Sequence, residues 1–542
     1  MSLLLDISPA DLGLPPKFAE YRPTQAEAID HIQSSPAAII ALAAPTGIGK
    51  SLIGVSTAKS AALRAVYLTA TKGLQDQIVT DFAPSGMVDI RGVANYPCRV
   101  YTTKLRRNVS CEYGTEQGCS RRNNSGCPYF EALERAKHSN LVSTNYSYWL
   151  HSRRSSPTAL CYPDGPPVEL LICDEAHSAM EELSRFLQVS VPISDLDTPP
   201  EPAASGLMSE PSGDGWKKWA TARAKGINDE LNRLKHLYSS VAEARQEEPR
   251  YTQLENLKKK LSAILSMDNN WTWEAAGEHV VFDAIWPGRY SSLLFSNVER
   301  ILLLSATLRP YTLSLLGLPK DQYDFREFSN GWPPNRGLVY FLPTARMGFR
   351  STDQDYQRIV DRIDEIIASR KDRKGIIHTV SYQRMRLLLA RSKYARYMYH
   401  HEKASDAVDT ARRFRAAAPP AVLISPSYAT GWDFVYDQCE YQIIPKMPFA
   451  YSESRVMRER LKDKSYRYYT AILELVQMVG RGRRAADDRC ETFILDSNFT
   501  MAQVFGKQFF PDGFKIYKQN TLPDPAEKLT SPLARQVPKG LS

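Results

Sequence analysis

No apolar run in this 542-residue chain approaches the ~20 residues that a membrane helix needs. The longest, around Ala37–Pro45, stops at about half that length, so a membrane-spanning class is excluded and no membrane partner is expected. Basic residues are missing ahead of the N-terminal leucines in MSLLLDISPADLGLPP, and acids follow at once, so the segment reads poorly as a secretory leader. A cytoplasmic location is the expectation. Charge of one sign is scarce: 69 Lys and Arg stand against 60 Asp and Glu, a net +9. That balance suits a polyanionic partner without identifying one. Cysteine is scarce too, with eight in all, and the chain has no paired C-x2-C knuckle of the zinc-ribbon kind. No internal repeat is present, which excludes solenoids and propellers.

What is present is a series of short, continuous apolar runs. AAIIALAAP (37–45), AVYLTAT (65–71), LLICDEA (170–176), ILLLSAT (301–307), GIIHTV (375–380), AVLISP (421–426), YQIIP (441–445) and TFILD (492–496) read as buried parallel strands. A helical stretch from Lys50 to about Arg64 separates the first two, giving a βαβ order. The strands fall into two groups, before and after about residue 320, and predict two α/β domains with doubly wound parallel sheets. Two stretches interrupt the first group. Residues 93–140 are polar and carry four cysteines. Residues 190–290 open on an exposed-linker composition and continue into two amphipathic patterns, Ile227, Leu231, Leu234 and Val241, then Leu254, Leu257, Leu261 and Ile264. Glu248-Pro249 breaks between them, so a helical hairpin is predicted.

Three segments carry phosphate chemistry. Ala44-Pro45-Thr46-Gly47-Ile48-Gly49-Lys50-Ser51 lies between the first strand and its helix. Its glycines let backbone N–H groups turn inward around phosphate oxygens, with the helix N-terminus adding positive charge. Lys50 is placed to reach the β- and γ-phosphates and Ser51 to ligate Mg²⁺. Ala44 replaces the glycine of the strict pattern. Asp174-Glu175-Ala176-His177 leaves an apolar strand; Asp174 is assigned to Mg²⁺ and Glu175 to the attacking water as general base. Gln477-Met478-Val479-Gly480-Arg481-Gly482-Arg483-Arg484 lies in the second group. Arg481 and Arg484 are candidates to neutralise charge on the transferring phosphoryl group, and a solvated basic patch or a phosphate-backbone site is the competing reading.

In this order the motifs resemble the superfamily 2 helicases. Arg22 and Gln25 (YRPTQAEAI) look like the adenine-reading segment ahead of the phosphate loop. Thr69, Thr71, Lys72 and Gln75 (TATKGLQDQ) look like the strand-contacting motif after it. Ser305-Ala306-Thr307 is similar to the motif that links hydrolysis to movement. HTVSY (378–382), SPSYATGWDF (425–434) with Gly431 and Asp433, and Gln477 in the arginine segment match second-domain motifs. The likeness implies an ATP site of Arg22, Gln25, Thr46, Gly47, Gly49, Lys50, Ser51, Asp433 and Gln477.

Within that group the chain resembles the XPD/DinG branch on three features: four cysteines before DEAH, LVSTNYSYWL after them, and a helical insertion between DEAH and SAT. The resemblance implies a [4Fe–4S] cluster on Cys98, Cys111, Cys119 and Cys127, and 5′→3′ movement on single-stranded DNA. By itself the spacing C-x12-C-x7-C-x7-C leaves a cluster, zinc and no metal all open. The layout expected is a RecA-like domain 1 over 1–92, 141–190 and 291–325, a cluster module over 93–140, a helical arch over 191–290, a RecA-like domain 2 over 326–520 and a tail over 521–542.

Between residues 93 and 154, Arg99, Lys104, Arg106, Arg107, Arg121, Arg122, Arg135, Lys137, Arg153 and Arg154 alternate with Tyr96, Tyr101, Tyr113, Tyr129, Tyr146 and Tyr148. Cations interleaved with stacking rings suit a single strand, so this module is expected to form the wedge where a duplex splits. Trp216, Lys217, Lys218, Trp219 and Lys225 in the insertion either close over that strand or fill the hairpin core. Three functions fit these motifs. They are a monomeric DNA helicase on single-stranded and forked DNA with an unidentified loading partner, a translocase without productive unwinding, and an ATP-sensing binding module.

Overall fold

A computed structural model describes residues 7–45, 47–102, 108–116, 119, 126–155, 160, 168–196, 213–238, 249–329, 336–426, 434, 436–482 and 488–526. In spatial order the first sheet runs Tyr323–Glu327, Ile39–Ala43, Val298–Ser305, Val168–Asp174, Ala65–Thr69, Leu141–Asn145 and Val88–Asp89, all parallel. Every residue of Ile39–Ala43 and Ala65–Thr69 is buried, as their continuous apolar sequences require of a sheet covered on both faces. The helix Lys50–Ser60 follows the first strand and ends four residues short of Arg64, where Ala62 turns left-handed at φ 51°.

The second sheet is also parallel and seven-stranded: Met398–Tyr399, Ala421–Ser425, Lys374–His378, Tyr441–Ile444, Cys490–Asp496, Gly337–Ala345 and Ile516–Lys518. Helices Asp353–Ser369, Tyr382–Arg391, Ala407–Ala416 and Lys464–Val479 accompany it. Its core joins Ile359, Ile363, Ile367, Ile377, Ile443 and Phe493. The doubly wound α/β class expected from the apolar runs is therefore present twice.

The chain divides into two compact units. One comprises residues 1–42, 50–326 and 452–460, and the other 43–49, 327–451 and 461–542. Within the first unit the insertion holds the two expected helices, Gly213–Lys235 and Pro249–Leu265, with Pro249 at the start of the second. It also holds a three-stranded antiparallel sheet of Val189–Pro192, His279–Ala284 and Trp271–Ala276 that the helical periodicity does not announce. Trp216, Trp219, Ile227, Leu231, Leu254, Leu257, Leu261 and Ile264 share one core with Val191, Val280 and Phe282. The two tryptophans thus fill the insertion's interior, and Val241 lies outside the described residues. Helix Arg455–Arg460 belongs to this unit as well. The Arg455 amide donates to Glu274 Oε2 at 2.8 Å, and Arg460 Nη2 donates to Ser184 Oγ at 2.8 Å.

The cysteine-bearing stretch forms an antiparallel pair, Pro97–Thr102 with Asn108–Ser110, then helices Cys111–Glu116 and Pro128–Lys137. Among the described residues no helix is long and apolar enough to cross a membrane.

Candidate nucleotide and nucleic-acid site

The turn from Ile39–Ala43 into the helix Lys50–Ser60 passes through Gly47 at φ 82° and Gly49 at φ 90°. Side chains seldom enter that region, so glycine at these two positions is what lets the loop fold back ahead of the helix. Ala44, where the strict pattern has glycine, is fully buried and its methyl fills core space. Thr46 lies outside the described residues.

The Lys50 ammonium stands 3.6 Å from Glu175 Oε1. Glu175 itself is left-handed, φ 48° and ψ 45°, a conformation that costs a non-glycine residue on the order of 1–3 kcal/mol and clusters at functional sites. It turns the carboxylate out of the strand direction. Its other oxygen lies 3.2 Å from His177 Nδ1 and accepts from Ser305 Oγ at 3.3 Å. His177 Nδ1 and Ser305 Oγ are 2.7 Å apart, and Ser305 Oγ accepts the Thr307 amide at 3.2 Å. Ser305 and Thr307 are both buried. The DEAH turn and the SAT turn are thus one hydrogen-bonded unit, centred on a histidine to which the motif alone assigned no role.

Asp174 is buried beside this unit. Burial first, and the Glu175 charge second, push its carboxyl up to about 6, against the pull of Lys50. Its Oδ1 accepts the Glu175 amide at 2.9 Å. The Tyr67 hydroxyl is buried between Asp174 and Ser51 without a well-aligned hydrogen bond. A carboxylate and a hydroxyl at this point are hard oxygen donors, the set that Mg²⁺ takes, so Asp174 and Ser51 fit the ion they were assigned.

The remaining sites divide between surface and interior. The Gln25 Oε1 accepts the Arg22 amide at 2.8 Å, so that pair closes the N-terminus of helix Pro23–Ser34. Thr71 and Lys72 are exposed at the start of helix Lys72–Phe82, where Thr71 caps the helix and Lys72 Nζ donates to Asn95 Oδ1 at 2.8 Å. Thr69 and Gln75 are interior residues. Gln75 is 0% exposed, and its amide nitrogen donates to the Ile90 carbonyl at 3.1 Å. Thr69 Oγ1 donates to the Thr144 carbonyl at 3.3 Å. These two build the surface that Thr71 and Lys72 present; their own polar groups are spent inside the fold.

In the second unit Gln477 and Arg481 are half-buried at the end of helix Lys464–Val479 and in the turn Gly480–Gly482. Gln442 Nε2 holds that turn through the Val479 carbonyl at 3.1 Å, while its Oε1 meets His378 Nε2 at 2.9 Å. A Cβ on Gly482 would come within 2.3 Å of Cys490 Sγ, so only glycine lets the turn lie this close to the sheet. Burial, with the Arg481 charge, pushes His378 down to about 4. Asp433 and Arg484 lie outside the described residues.

None of the four clustered cysteines is in a disulfide; Cys98 and Cys111 are buried, and Cys119 and Cys127 half-buried. The Cys111 amide donates to the Tyr96 carbonyl at 2.8 Å, joining the base of the antiparallel pair. Among the described residues no three His, Cys, Asp or Glu side chains converge on one point. Four thiols in one module remain a donor set of the right chemistry for a Cys₄ centre. Most of the tyrosines with described side chains are more internal than a stacking platform requires. Tyr146 and Tyr148 are buried, and Tyr96 packs edge-on against Tyr129 with ring centres 5.6 Å apart. Tyr113 is exposed. Arg153 is buried and stacks over Trp149 at 4.5 Å, so it too belongs to the interior.

A phosphate loop, a magnesium-type aspartate and a carboxylate wired to a Ser-Ala-Thr turn on a parallel sheet define a nucleoside-triphosphate hydrolase of the two-α/β-domain kind. The helicase C-terminal domain family matches residues 364–512, and the type III restriction enzyme res subunit family matches residues 18–191. Three solved structures have the same fold. One, named XPD_Helicase, has a TM-score of 0.61 at 16% identity, covering 92% of this chain and 99% of that one. Another, XPD_APO, has a TM-score of 0.57 at 15% identity, with 92% and 100% covered. The third, Xpd4 of S. tokodaii, has a TM-score of 0.57 at 14% identity, with 92% and 100% covered. No curated protein matches the chain. The chain thus carries a helicase C-terminal domain over residues 364–512 and a res-subunit domain over residues 18–191, and it has the XPD-like fold.

Proposed function

We propose that this protein is an ATP-dependent DNA helicase that translocates 5′→3′ on single-stranded DNA and opens duplex at an iron–sulfur wedge. The observation that carries the motor reading is the continuous set Lys50–Glu175–His177–Ser305, which joins a phosphate-binding lysine to a movement motif through two side chains. Lys50 binds the β- and γ-phosphates, and Ser51 and Asp174 would hold Mg²⁺, which would supply positive charge against the phosphates. Glu175, its carboxylate aimed by the left-handed turn, takes the proton of the attacking water. Arg22 and Gln25 read the base, Thr46, Gly47 and Gly49 cradle phosphate, and Gln477 and Asp433 complete the nucleotide site. Arg481 and Arg484 stabilise the transferring phosphoryl group. Hydrolysis reports to Ser305 and Thr307 through His177. Thr71 and Lys72 contact the strand backbone, and Thr69 and Gln75 hold them in place.

The module of residues 93–140 carries a [4Fe–4S] cluster on Cys98, Cys111, Cys119 and Cys127, and residues 191–290 form the arch. Donor chemistry and the fold support this reading. ATPase assays with and without single-stranded DNA test the motor. Stimulation by DNA is expected, together with unwinding of a 5′-tailed fork, and Lys50→Ala should abolish both. Hydrolysis indifferent to every nucleic acid would sink the proposal. Stimulated hydrolysis without unwinding would leave a translocase.

A further inference from the structure

The strand Leu141–Asn145 ends on Asn145, Tyr146 opens the helix Tyr146–Ser155 that follows, and these two residues touch both halves of the machinery. On one side Asn145 Nδ2 donates to Gln75 Oε1 at 3.3 Å, inside the helix that presents Thr71 and Lys72. The other oxygen-bearing end of the same amide accepts the Tyr148 amide at 2.8 Å, which fixes its orientation. On the other side Tyr146, 1% exposed, donates its hydroxyl to the backbone carbonyl of Asp174 at 2.9 Å. The sheet order places Ala65–Thr69 between the strands that carry Asn145 and Asp174. The phenol therefore reaches across two inter-strand spacings of about 4.8 Å each, a span that needs a long side chain with a polar tip. The carbonyl it grips belongs to the peptide that leads into Glu175. Holding that peptide plane fixes the rotation that leaves Glu175 left-handed at φ 48°, with its carboxylate 3.6 Å from Lys50.

We propose that Asn145 and Tyr146 are positioning residues that couple the strand-contacting helix Lys72–Phe82 to the catalytic turn Asp174–Glu175. A shift of that helix moves Gln75, Gln75 moves the end of the strand, and the phenol carries the movement to the peptide that aims Glu175. Each contact is a packed, hydrogen-bonded step inside one unit, the kind of element through which two sites bias each other. The inference rests on the ATPase reading above.

Tyr146→Phe keeps the buried ring and removes only the hydroxyl. It is expected to lower kcat for ATP about tenfold, with KM for ATP within about twofold, because the missing bond aims the base and does not bind the nucleotide. The melting temperature should stay within a few degrees of the parent. Asn145→Ala should lower the ratio of poly(dT)-stimulated to basal kcat at least about fivefold. Loss of stability with kcat unchanged in Tyr146→Phe, or an undiminished stimulation ratio in Asn145→Ala, would overturn the coupling. If Tyr146→Phe fails to fold, the stimulation ratio of Asn145→Ala decides alone. A parent protein that hydrolyses no ATP would instead overturn the functional reading itself.

Discussion

At the scale of single residues the protein separates what a motif names from what a side chain does. Gln75 and Lys72 stand in one motif, yet the first is wholly interior and the second exposed. His378 is another such case. Its ring is buried against Gln442 and near the Arg481 charge, and it titrates near pH 4, well below the ordinary value of about 6.5. Above pH 6.5 both folded and unfolded chains hold it neutral and it contributes nothing to the slope. Between pH 6.5 and about 4 only the unfolded chain takes the proton, so stability falls as pH falls. The total available is about 3 kcal/mol. Urea midpoints measured from pH 7 to pH 4.5 should drop less steeply for His378→Gln than for the parent. Parallel curves would show that this ring is not the source.

At the scale of elements, buried charge on an interior strand of the second sheet holds the chain that follows its edge strand. Arg370, 0% exposed, makes a two-pronged pair with Glu491, 1% exposed, at 2.9 Å on each prong. Arg373 approaches the same carboxylate at 3.5 Å. The Ala526 amide donates to Glu491 Oε1 at 3.4 Å, and the Pro523 carbonyl accepts from Arg370 at 3.3 Å. The segment after strand Ile516–Lys518 is thereby tied to strand Cys490–Asp496 and helix Asp353–Ser369. Glu491→Ala leaves two guanidinium groups without their shared carboxylate inside the fold, and should cost about 3–5 kcal/mol in urea unfolding. It should also expose residues 519–526 to limited proteolysis. A loss below about 1 kcal/mol, the size of a surface pair, would refute the buried geometry.

The insertion makes a complementary point about elements. Its helices are legible because apolar residues recur at helical spacing over many turns. Its strands are not, because Val189–Pro192 and Trp271–Ala276 are short and gain their meaning only from each other through His279–Ala284. The edge strands Val88–Asp89 and Met398–Tyr399, two residues each, carry no periodicity at all.

At the scale of the whole molecule, the proposed cluster module and the hydrolytic centre are separate stretches of chain with separate tests. Cys111→Ser should reduce unwinding of a 5′-tailed fork far more than DNA-stimulated ATPase, if residues 93–140 act as a wedge. Equal retention of both activities would remove that role. Protein purified without oxygen should be brown, with absorption near roughly 400 nm and about four irons per chain, the signature of a Cys₄ cluster. A colourless protein with zinc would leave the motor standing and remove the cluster and the polarity attached to it.

The sequence by itself determined the class of the fold and the residue types of the proposed nucleotide site. Continuous apolar runs of strand length bounded by turn residues fit covered parallel strands, and the Gly-x-Gly-Lys-Ser, Asp-Glu and Gly-Arg-Gly segments are each contiguous in the chain. Tertiary structure alone decided which motif residues face outward, that Trp216 and Trp219 are core, that His177 meets Ser305 across 128 positions, and that Tyr146 grips the Asp174 carbonyl across an intervening strand. The reason is physical. Periodicity and turn chemistry are local properties of the chain, whereas a hydrogen bond between distant residues exists only once strand order and register have brought its partners together.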